Sequence, residues 1–258
     1  MIASLRAGLL PWALLLAAAQ LATAAPAQDR AEFLAGGSRS CPGCDLAGAD
    51  LSRKDLTEAN LEGANLEGAS LFRATLIRAN LKRARLVGVN LSRANARQAD
   101  LTEADFSHGQ AIEADLNAAT LQDATLYGAN FRNARLQRAS FRGAHAADSD
   151  FRGALMGGTS FQDADLSGSR FEQTAMPRLD LRGANLDAAD LLYVNLREAN
   201  LAGASLQGAD LYQADLTGAD LTRVNLTGAR LNNAVLTDAK LDGAIFAGTI
   251  MPDGAVRR

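Results

Sequence analysis

Histidine, cysteine and tryptophan are scarce in this chain of 258 residues, which contains two His, two Cys and one Trp. His108 and His145 stand in no motif with a serine or a cysteine, so the sequence contains no candidate catalytic triad. Two cysteines with two distant histidines do not have the spacing of a zinc site. No phosphate-binding loop or Rossmann glycine motif occurs either. These absences predict a protein that is not an enzyme and that holds no metal or cofactor.

A strong charge of one sign is also absent. The chain has 26 Lys and Arg against 29 Asp and Glu, a net charge of −3. Imitation of DNA would need a strongly acidic surface with the charge density of phosphates, and a balanced chain does not supply it. Nucleic acid is not expected as a partner.

The chain contains one strict internal repeat, because every fifth residue from Leu46 to Met251 is apolar. Of these 42 positions, 29 are Leu, seven are Phe, three are Met and three are Ala. Two residues earlier lies a second column, which is Ala in 30 of 42 places. Residues five apart share neither one face of an α-helix nor one face of a flat strand. The columns stay inside only if the chain turns a corner at each repeat, which predicts a solenoid of stacked coils.

Glycine and short polar residues mark the predicted corners. Gly occupies 16 of the 42 positions that lie two residues after the Leu column, where a type II turn requires positive φ. Asp or Asn precedes the column in 23 of 42 places, and such side chains hydrogen-bond nearby backbone at bends. Sorted with a period of 20, the corner glycines fill 8 of 11 corners on one wall, a sharper division than a period of 15 gives. Four sides are therefore favoured over three.

Units such as residues 49–53 (Ala-Asp-Leu-Ser-Arg) and 64–68 (Ala-Asn-Leu-Glu-Gly) resemble the A(D/N)LXX unit of the pentapeptide-repeat family. The resemblance covers residues 41–251. It implies an all-β fold, a right-handed quadrilateral parallel β-helix, with about 10 coils and a length on the order of 50 Å at ~4.8 Å per coil. It implies no single function, because members of the family differ widely.

The segments outside the repeat predict export. Residues 1–24 contain Arg6, a short apolar run and Ala22-Thr23-Ala24, the layout of a cleaved secretory signal peptide. The protein is then periplasmic or secreted and has no membrane span after cleavage; an uncleaved anchor is the alternative. Residues 25–40 are predicted to form an N-terminal cap. Residues 252–258 form a short C-terminal tail after Pro252, which cannot donate to the ladder.

The two cysteines open the repeat as Cys41-Pro42-Gly43-Cys44, and both fall on the inward columns beside the first corner. The expected role is structural, either a disulfide in an oxidising compartment or a pair of small apolar residues in the cap. Redox or metal chemistry is the alternative. The resemblance supports the structural role, because exported-looking family members often begin with a similar CPGCDL sequence.

One asymmetry is found when the outward residues are sorted by wall. Arg53, Arg73 and Arg93 stack one coil apart, and like charges at this spacing repel unless something satisfies them. The same wall also presents Phe72, Ile112, Arg132, Arg152, Leu192, Tyr193 and Tyr212. Arginine and aromatic side chains are favoured in protein interfaces. We predict that these ten residues form a partner face; the alternative is a solvated face on which the arginine side chains spread apart.

The predicted function is that of an exported module that binds or scaffolds an unidentified protein. Two alternatives remain. The first, suggested by the resemblance, is a DNA-mimic regulator of a topoisomerase, which the charge and the predicted export disfavour. The second is a structural rod that self-associates end to end through an open C-terminal edge.

Overall fold

The computed structural model describes residues 29–257. The predicted signal peptide over residues 1–24 lies outside the described residues. Residues 29–35 form a helix, and the chain then winds into a solenoid that runs to the C-terminal hairpin. Among residues 29–257, no helix has the length and apolar character needed to cross a membrane.

The coils of the solenoid stack in a constant register. Asn65 Nδ2 donates to Asp45 Oδ1 at 3.0 Å across a separation of 20 residues, which is the length of one coil. Parallel bridges join equivalent residues of successive coils on every wall, from the pair Ser40 and Asn60 to the pair Arg230 and Ile250. A coil of four five-residue sides accounts for this register. The prediction of a four-sided parallel solenoid is confirmed.

Backbone hydrogen bonds connect each coil to the next. The N–H of Leu46 donates to the Asn65 carbonyl at 2.7 Å, and the N–H of Asn65 donates to the Cys44 carbonyl at 2.9 Å. The same pattern recurs along the walls, so the ladder satisfies the backbone of the short extended sides.

The corners share one backbone conformation whether or not they contain glycine. In the turn that begins at Leu46, the N–H of Ala49 donates to the Leu46 carbonyl at 3.0 Å, and Gly48 has a φ of 64°. At 25 further corners a residue other than glycine takes this place, with Arg53 at 60° and Asp123 at 54° marking the extremes. A left-handed conformation costs an L-residue roughly 1–2 kcal/mol. The ladder and the core must therefore offset this cost at more than half of the corners.

The Asp/Asn column completes the backbone hydrogen bonding of the corners. The first corner residue has an N–H that neither the turn nor the ladder uses. Asp50 Oδ1 accepts this N–H from Ser52 at 3.0 Å, and Asp220 Oδ1 accepts it from Thr222 at 3.0 Å. The predicted role of the short polar side chains at the bends is confirmed.

The interior divides into regions of different composition. In the leucine segment, residues 181–241, the inward column is Leu throughout, and the second column is Ala or Val. In the phenylalanine segment, residues 131–180, five inward positions are Phe. Ring centroids lie 5.1 Å apart for Phe131 and Phe151 and 4.7 Å apart for Phe141 and Phe161. Rings of opposite walls meet edge to face, as Phe151 and Phe161 do at 5.5 Å. The rings thus form two stacks that face each other across the interior.

Hydroxyl groups replace Ala in the second column of the phenylalanine segment, and three of them share one pattern of hydrogen bonding. Each donates to the carbonyl 23 residues earlier: Ser149 to Leu126 at 2.7 Å, Thr159 to Leu136 at 2.7 Å and Ser169 to Ala146 at 2.8 Å. A buried hydroxyl with such a partner does not carry the penalty of an unsatisfied group. These substitutions are therefore compatible with the coil.

The ladder is interrupted on one wall of the phenylalanine segment. Arg135 pairs with Leu155, and Ala175 pairs with Asn195, but within the described residues Leu155 and Ala175 form no bridge. The N–H groups of the corner after Leu155 also lack their backbone acceptors in the next coil. The coil register continues beyond this point. The interruption is therefore a local distortion and not an inserted domain.

Both described ends of the solenoid carry additional structure. At the N-terminal end, Phe33 of the helix is buried in the core cluster, and Arg30 Nε donates to the Asp45 carbonyl at 2.7 Å. At the C-terminal end, strand β1 (Thr249–Ile250) pairs antiparallel with strand β2 (Val256–Arg257). The predicted tail thus folds back over one wall of the last coil.

Candidate protein-binding surface

The ten residues predicted to form a partner face all lie on one corner of the solenoid. We call this the arginine–aromatic corner; it comprises the two outward turn residues at positions 52–53 and the equivalent two residues of each later coil. Because bridges such as Asp50 to Ser70 hold the coils in register, these side chains stack along the rod. The corner brings together Arg53, Phe72, Arg73, Arg93, Ile112, Arg132, Arg152, Leu192, Tyr193 and Tyr212.

The N-terminal part of the corner shows how stacked arginines are accommodated. The guanidinium carbon of Arg73 lies 5.2 Å from the ring centroid of Phe72, within the range of a cation–π contact. Arg93 Nε donates to Glu113 Oε2 at 2.9 Å. Glu113 occupies the next place in the Arg53, Arg73, Arg93 stack, so the corner itself supplies a counter-charge that the sequence analysis did not assign.

The middle of the corner contains a bidentate ion pair. Arg152 Nε lies 2.9 Å from Asp150 Oδ1, and Arg152 Nη2 lies 2.6 Å from Asp150 Oδ2. Burial alone would raise the pKa of the Asp150 carboxyl, but hydrogen bonds from the side chain and backbone of Arg152 outweigh it and hold that pKa below its usual value. Arg152 is therefore committed to Asp150, whereas the neighbouring Arg132 side chain is exposed.

The C-terminal part of the corner carries an aromatic cluster. The rings of Tyr193 and Tyr212 meet edge to face with centroids 5.7 Å apart, and Tyr193 is 46% exposed. The Arg230 guanidinium carbon lies 4.5 Å from the Tyr212 ring centroid, and Arg230 Nη1 pairs with Asp210 Oδ2 at 2.8 Å. The cluster presents aromatic surface and a guanidinium in a fixed arrangement.

Sequence reasoning missed Arg230 as a member of this cluster. It occupies the Asp/Asn column and not the corner, so sorting by corner position alone did not include it. Its position one coil after Asp210 would have predicted the ion pair, because equivalent residues of successive coils stack.

The cysteines lie at the opposite end of the rod from this cluster. Cys41 and Cys44 are joined as a disulfide with their Cα atoms 5.3 Å apart, and both are almost fully buried. The bond spans the first corner, where the N–H of Cys44 donates to the Cys41 carbonyl at 3.2 Å. In this position it closes the turn that begins the ladder.

The histidines and acidic residues form no metal site in the part of the chain that the structure describes. There, no three His, Cys, Asp or Glu side chains are grouped so that they could hold a metal ion. His108 packs edge to face against the exposed Tyr127, with centroids 5.3 Å apart, and His145 lies two coils later on the same wall, in the Asp/Asn column.

Comparison with known proteins gives the family. The model described as pentapeptide repeats matches residues 42–76, 69–108, 99–138, 112–145, 134–173, 180–218 and 219–252. The chain belongs to the pentapeptide-repeat family. No curated protein sequence matches it.

Two solved structures are similar to this pentapeptide-repeat protein. HetL, a pentapeptide repeat protein involved in heterocyst differentiation regulation from the cyanobacterium Nostoc sp. strain PCC 7120, is 32% identical over 88% of this chain and 96% of its own, with a TM-score of 0.35. QnrB1, a plasmid-mediated fluoroquinolone resistance protein, is 21% identical over 78% of this chain and 89% of its own, with a TM-score of 0.35.

Proposed function

We propose that this pentapeptide-repeat protein is an exported, non-enzymatic module that binds or scaffolds another protein. In this proposal the rod is right-handed, with about 10 coils and a length on the order of 50 Å. The arginine–aromatic corner is the binding surface. The observation that carries the proposal is the cluster of Tyr193, Tyr212 and Arg230, because partly exposed aromatic rings beside a guanidinium are typical of interface hot spots.

The location of the aromatic cluster supports recognition more than stability. The inward columns already supply the core, so Tyr193 and Tyr212 are not needed to fill it. Their contact with Arg230 holds the rings in place, which lowers the entropy cost of ordering them on binding. The Cys41–Cys44 disulfide supports export, because disulfides persist in oxidising compartments.

The test is crosslinking of the tagged protein in its own host, followed by mass spectrometry of the captured chains. The test variant replaces Arg73, Arg93, Leu192 and Tyr212 with Ala. The matched control replaces Arg83, Arg142, Val87 and Tyr127 with Ala, which removes the same kinds of side chain from other corners. An envelope protein captured by the wild type and the control, but lost in the test variant, is the expected result.

Equal capture by all three proteins would overturn the assignment of this corner. Circular dichroism melts of each variant establish that the solenoid is intact, so that loss of capture reports the surface. Secretion of the wild-type protein, measured by fractionation of the host, tests export separately.

End-to-end association is a second candidate, and the last coil favours it. Leu236, Leu241 and Met251 are only partly buried against the core, and within the described residues no further coil accepts the N–H groups of Leu236 and Leu241. Unpaired strand edges promote association. Light scattering over a range of concentrations tests this candidate, and a monomer at every concentration would remove it.

A DNA-mimic regulator of a topoisomerase is supported by no comparable observation. The arginine–aromatic corner presents guanidinium groups, whereas imitation of DNA requires a continuous acidic surface. A gyrase supercoiling assay that is unaffected by the protein would exclude this alternative.

A further inference from the structure

A second corner of the solenoid contains a groove where the ladder is interrupted. A hollow of about 580 Å³ is lined by Gly157, Gly158, Pro177, Arg178, Arg197 and Glu198. An adjoining hollow of about 510 Å³ shares Gly157 and is also lined by Arg97, Gln98, Asn117, Ala118, Gln137 and Arg138. The lining residues occupy equivalent places in successive coils, so the two hollows follow one corner over six coils. This length is roughly 24 Å, which an extended segment of about seven residues covers.

The centre of the groove has three consecutive backbone N–H groups without an acceptor among the described residues. They belong to Met156, Gly157 and Gly158. In a regular repeat the N–H groups of the inward residue and of the second corner residue donate to the next coil, and the N–H of the first corner residue often donates to an Asp or Asn side chain. The ladder interruption removes the two backbone acceptors. Leu155 stands in the Asp/Asn column and is 49% exposed. Its side chain has no oxygen, so it cannot accept the N–H of Gly157. Among the described coils before the last one, no other corner lacks all three acceptors.

Arginine side chains line both hollows, and one of them lies beside these donors. Arg138 lies over Gly158, since its Cγ would be 3.7 Å from a Cβ at that glycine, and within the described residues it forms no ion pair. Four arginines line the two hollows, and three of them pair with Asp115, Glu198 and Asp215, so in the described chain Arg138 is the arginine of the groove that keeps an uncompensated charge. Free N–H groups beside a guanidinium are suited to a carboxylate, because charge-assisted hydrogen bonds are the stronger ones.

The charges of the groove favour an acidic protein segment over a nucleic acid. Arg178 already holds Glu198 at 2.7 Å, so the groove accommodates a guanidinium–carboxylate pair. Asp115 and Asp215 lie beside Arg97 and Arg197 at 4.0 and 3.1 Å. A polyphosphate chain would bring a negative charge against these acids at every coil, whereas a peptide needs to place a carboxylate only beside Arg138.

We propose that this groove binds an acidic segment of a partner protein, with one carboxylate held by the N–H groups of Gly157 and Gly158 and by Arg138. The site lies on a different corner from the arginine–aromatic corner, and the proposal does not depend on the function assigned to that surface.

The test is fluorescence anisotropy of the purified chain with a fluorescein-labelled peptide, Ala-Glu-Ala-Gly-Ala-Glu-Ala. We expect binding that weakens with salt and that is lost when Gln replaces both Glu residues. Arg138→Gln should weaken binding at least tenfold. Leu155→Asn should do the same without a change of charge, because its Oδ1 would accept the Gly157 N–H as Asp50 accepts that of Ser52.

Two variants serve as matched controls. Arg142→Gln removes an arginine of the same coil from another corner, and Val235→Asn places the same amide in the same column four coils away. Both should bind the peptide as the wild type does, and all four variants should keep the wild-type melting temperature within a few degrees.

Three results would overturn the proposal. They are no binding by the wild type, an equal loss of binding in the controls, and tighter binding of an oligothymidylate of equal charge than of the peptide. The Arg73, Arg93, Leu192 and Tyr212 variant should keep its affinity for the peptide, so failure of this proposal and failure of the proposed function are separable.

Discussion

The leucine segment and the phenylalanine segment are built on the same four-sided coil, but they differ in the side chains that fill its interior and in the hydrogen bonds of its walls. In residues 181–241 the inward column is uniform, and the parallel bridges continue from coil to coil. In residues 131–180 stacked rings alternate with Leu, Met and Ala, hydroxyls enter the second column, and one bridge of the ladder is missing. Large rings in the bore are thus accompanied by compensating changes in the wall.

The difference shows that the coil register tolerates the loss of one bridge on one wall. The phenylalanine segment keeps its register across the interruption at Leu155 and Ala175, although backbone hydrogen bonds are lost there. The stacked rings of Phe151 and Phe171, with centroids 5.0 Å apart, cross that same coil boundary. Ring stacking and the intact bridges of the neighbouring walls, such as Asp150 to Arg170, both connect the two coils there.

The largest expected effect comes from removing one of these rings. Phe151→Ala should destabilise the protein by about 3–5 kcal/mol, because it leaves a cavity between Phe131 and Phe171. Leu211→Ala in the leucine segment should cost roughly 1 kcal/mol less, because no aromatic pair is lost. Urea denaturation of both variants measures the difference. Equal costs would contradict the special role of the rings.

Gly153, a corner glycine of the phenylalanine segment, should tolerate substitution less well than Gly48 of the first coil. A Cβ at Gly153 would clash with Asn133 Oδ1, whereas a Cβ at Gly48 would have no atom within 4 Å, and both residues have positive φ. Gly48→Ala should cost about 1–2 kcal/mol for the backbone alone, and Gly153→Ala roughly 1 kcal/mol more. The double variant with Asn133→Ala should recover that excess. If thermal melts show that the costs of Gly153→Ala and Asn133→Ala simply add in the double variant, the two side chains do not clash.

The smallest effect is expected for the hydroxyls of the second column. Ser169→Ala removes a hydrogen bond to the Ala146 carbonyl and one from the Ser149 N–H, and should cost about 1 kcal/mol. Ala209→Ser in the leucine segment should be close to neutral, since the carbonyl of Leu186 occupies the place that the Ala146 carbonyl has relative to Ser169. Chemical denaturation compares the two variants. A large loss of unfolding free energy in Ala209→Ser would mean that the two segments differ in the spacing of their walls as well as in the side chains of their interior.

The period of five and the choice of four sides followed from the sequence because each rests on a repeated choice of residue. Gly48 and the equivalent glycines of later coils marked one wall, and the Asp/Asn column predicted the hydrogen bonds at the bends. The left-handed conformation at Arg53 and Glu58 was not predicted, because nothing in those residues favours it. The geometry of the solenoid imposes it on whatever residue occupies the place.

The candidate surfaces were less predictable than the fold. Stacking from coil to coil located the arginine–aromatic corner, yet it did not assign Glu113 to Arg93 or Arg230 to Tyr212. The groove at Gly157 depends on hydrogen bonds that are missing, and these follow from the relative placement of two adjacent coils. Pro177 and Leu155 were its signals in the sequence, since each departs from the regular corner.

The two periods of this chain constrain change in its sequence to different degrees. The inward columns recur with every repeat unit, so loss or gain of a single unit keeps every apolar side chain inside. Stacking along a corner recurs only once per coil, and the same event turns all later residues by a quarter of a coil. Tyr193 and Tyr212 would then lie on a different edge of the rod from Arg53 and Arg73. Insertion of single units therefore preserves the solenoid, whereas only insertion of whole coils preserves the alignment of the exposed residues along each corner.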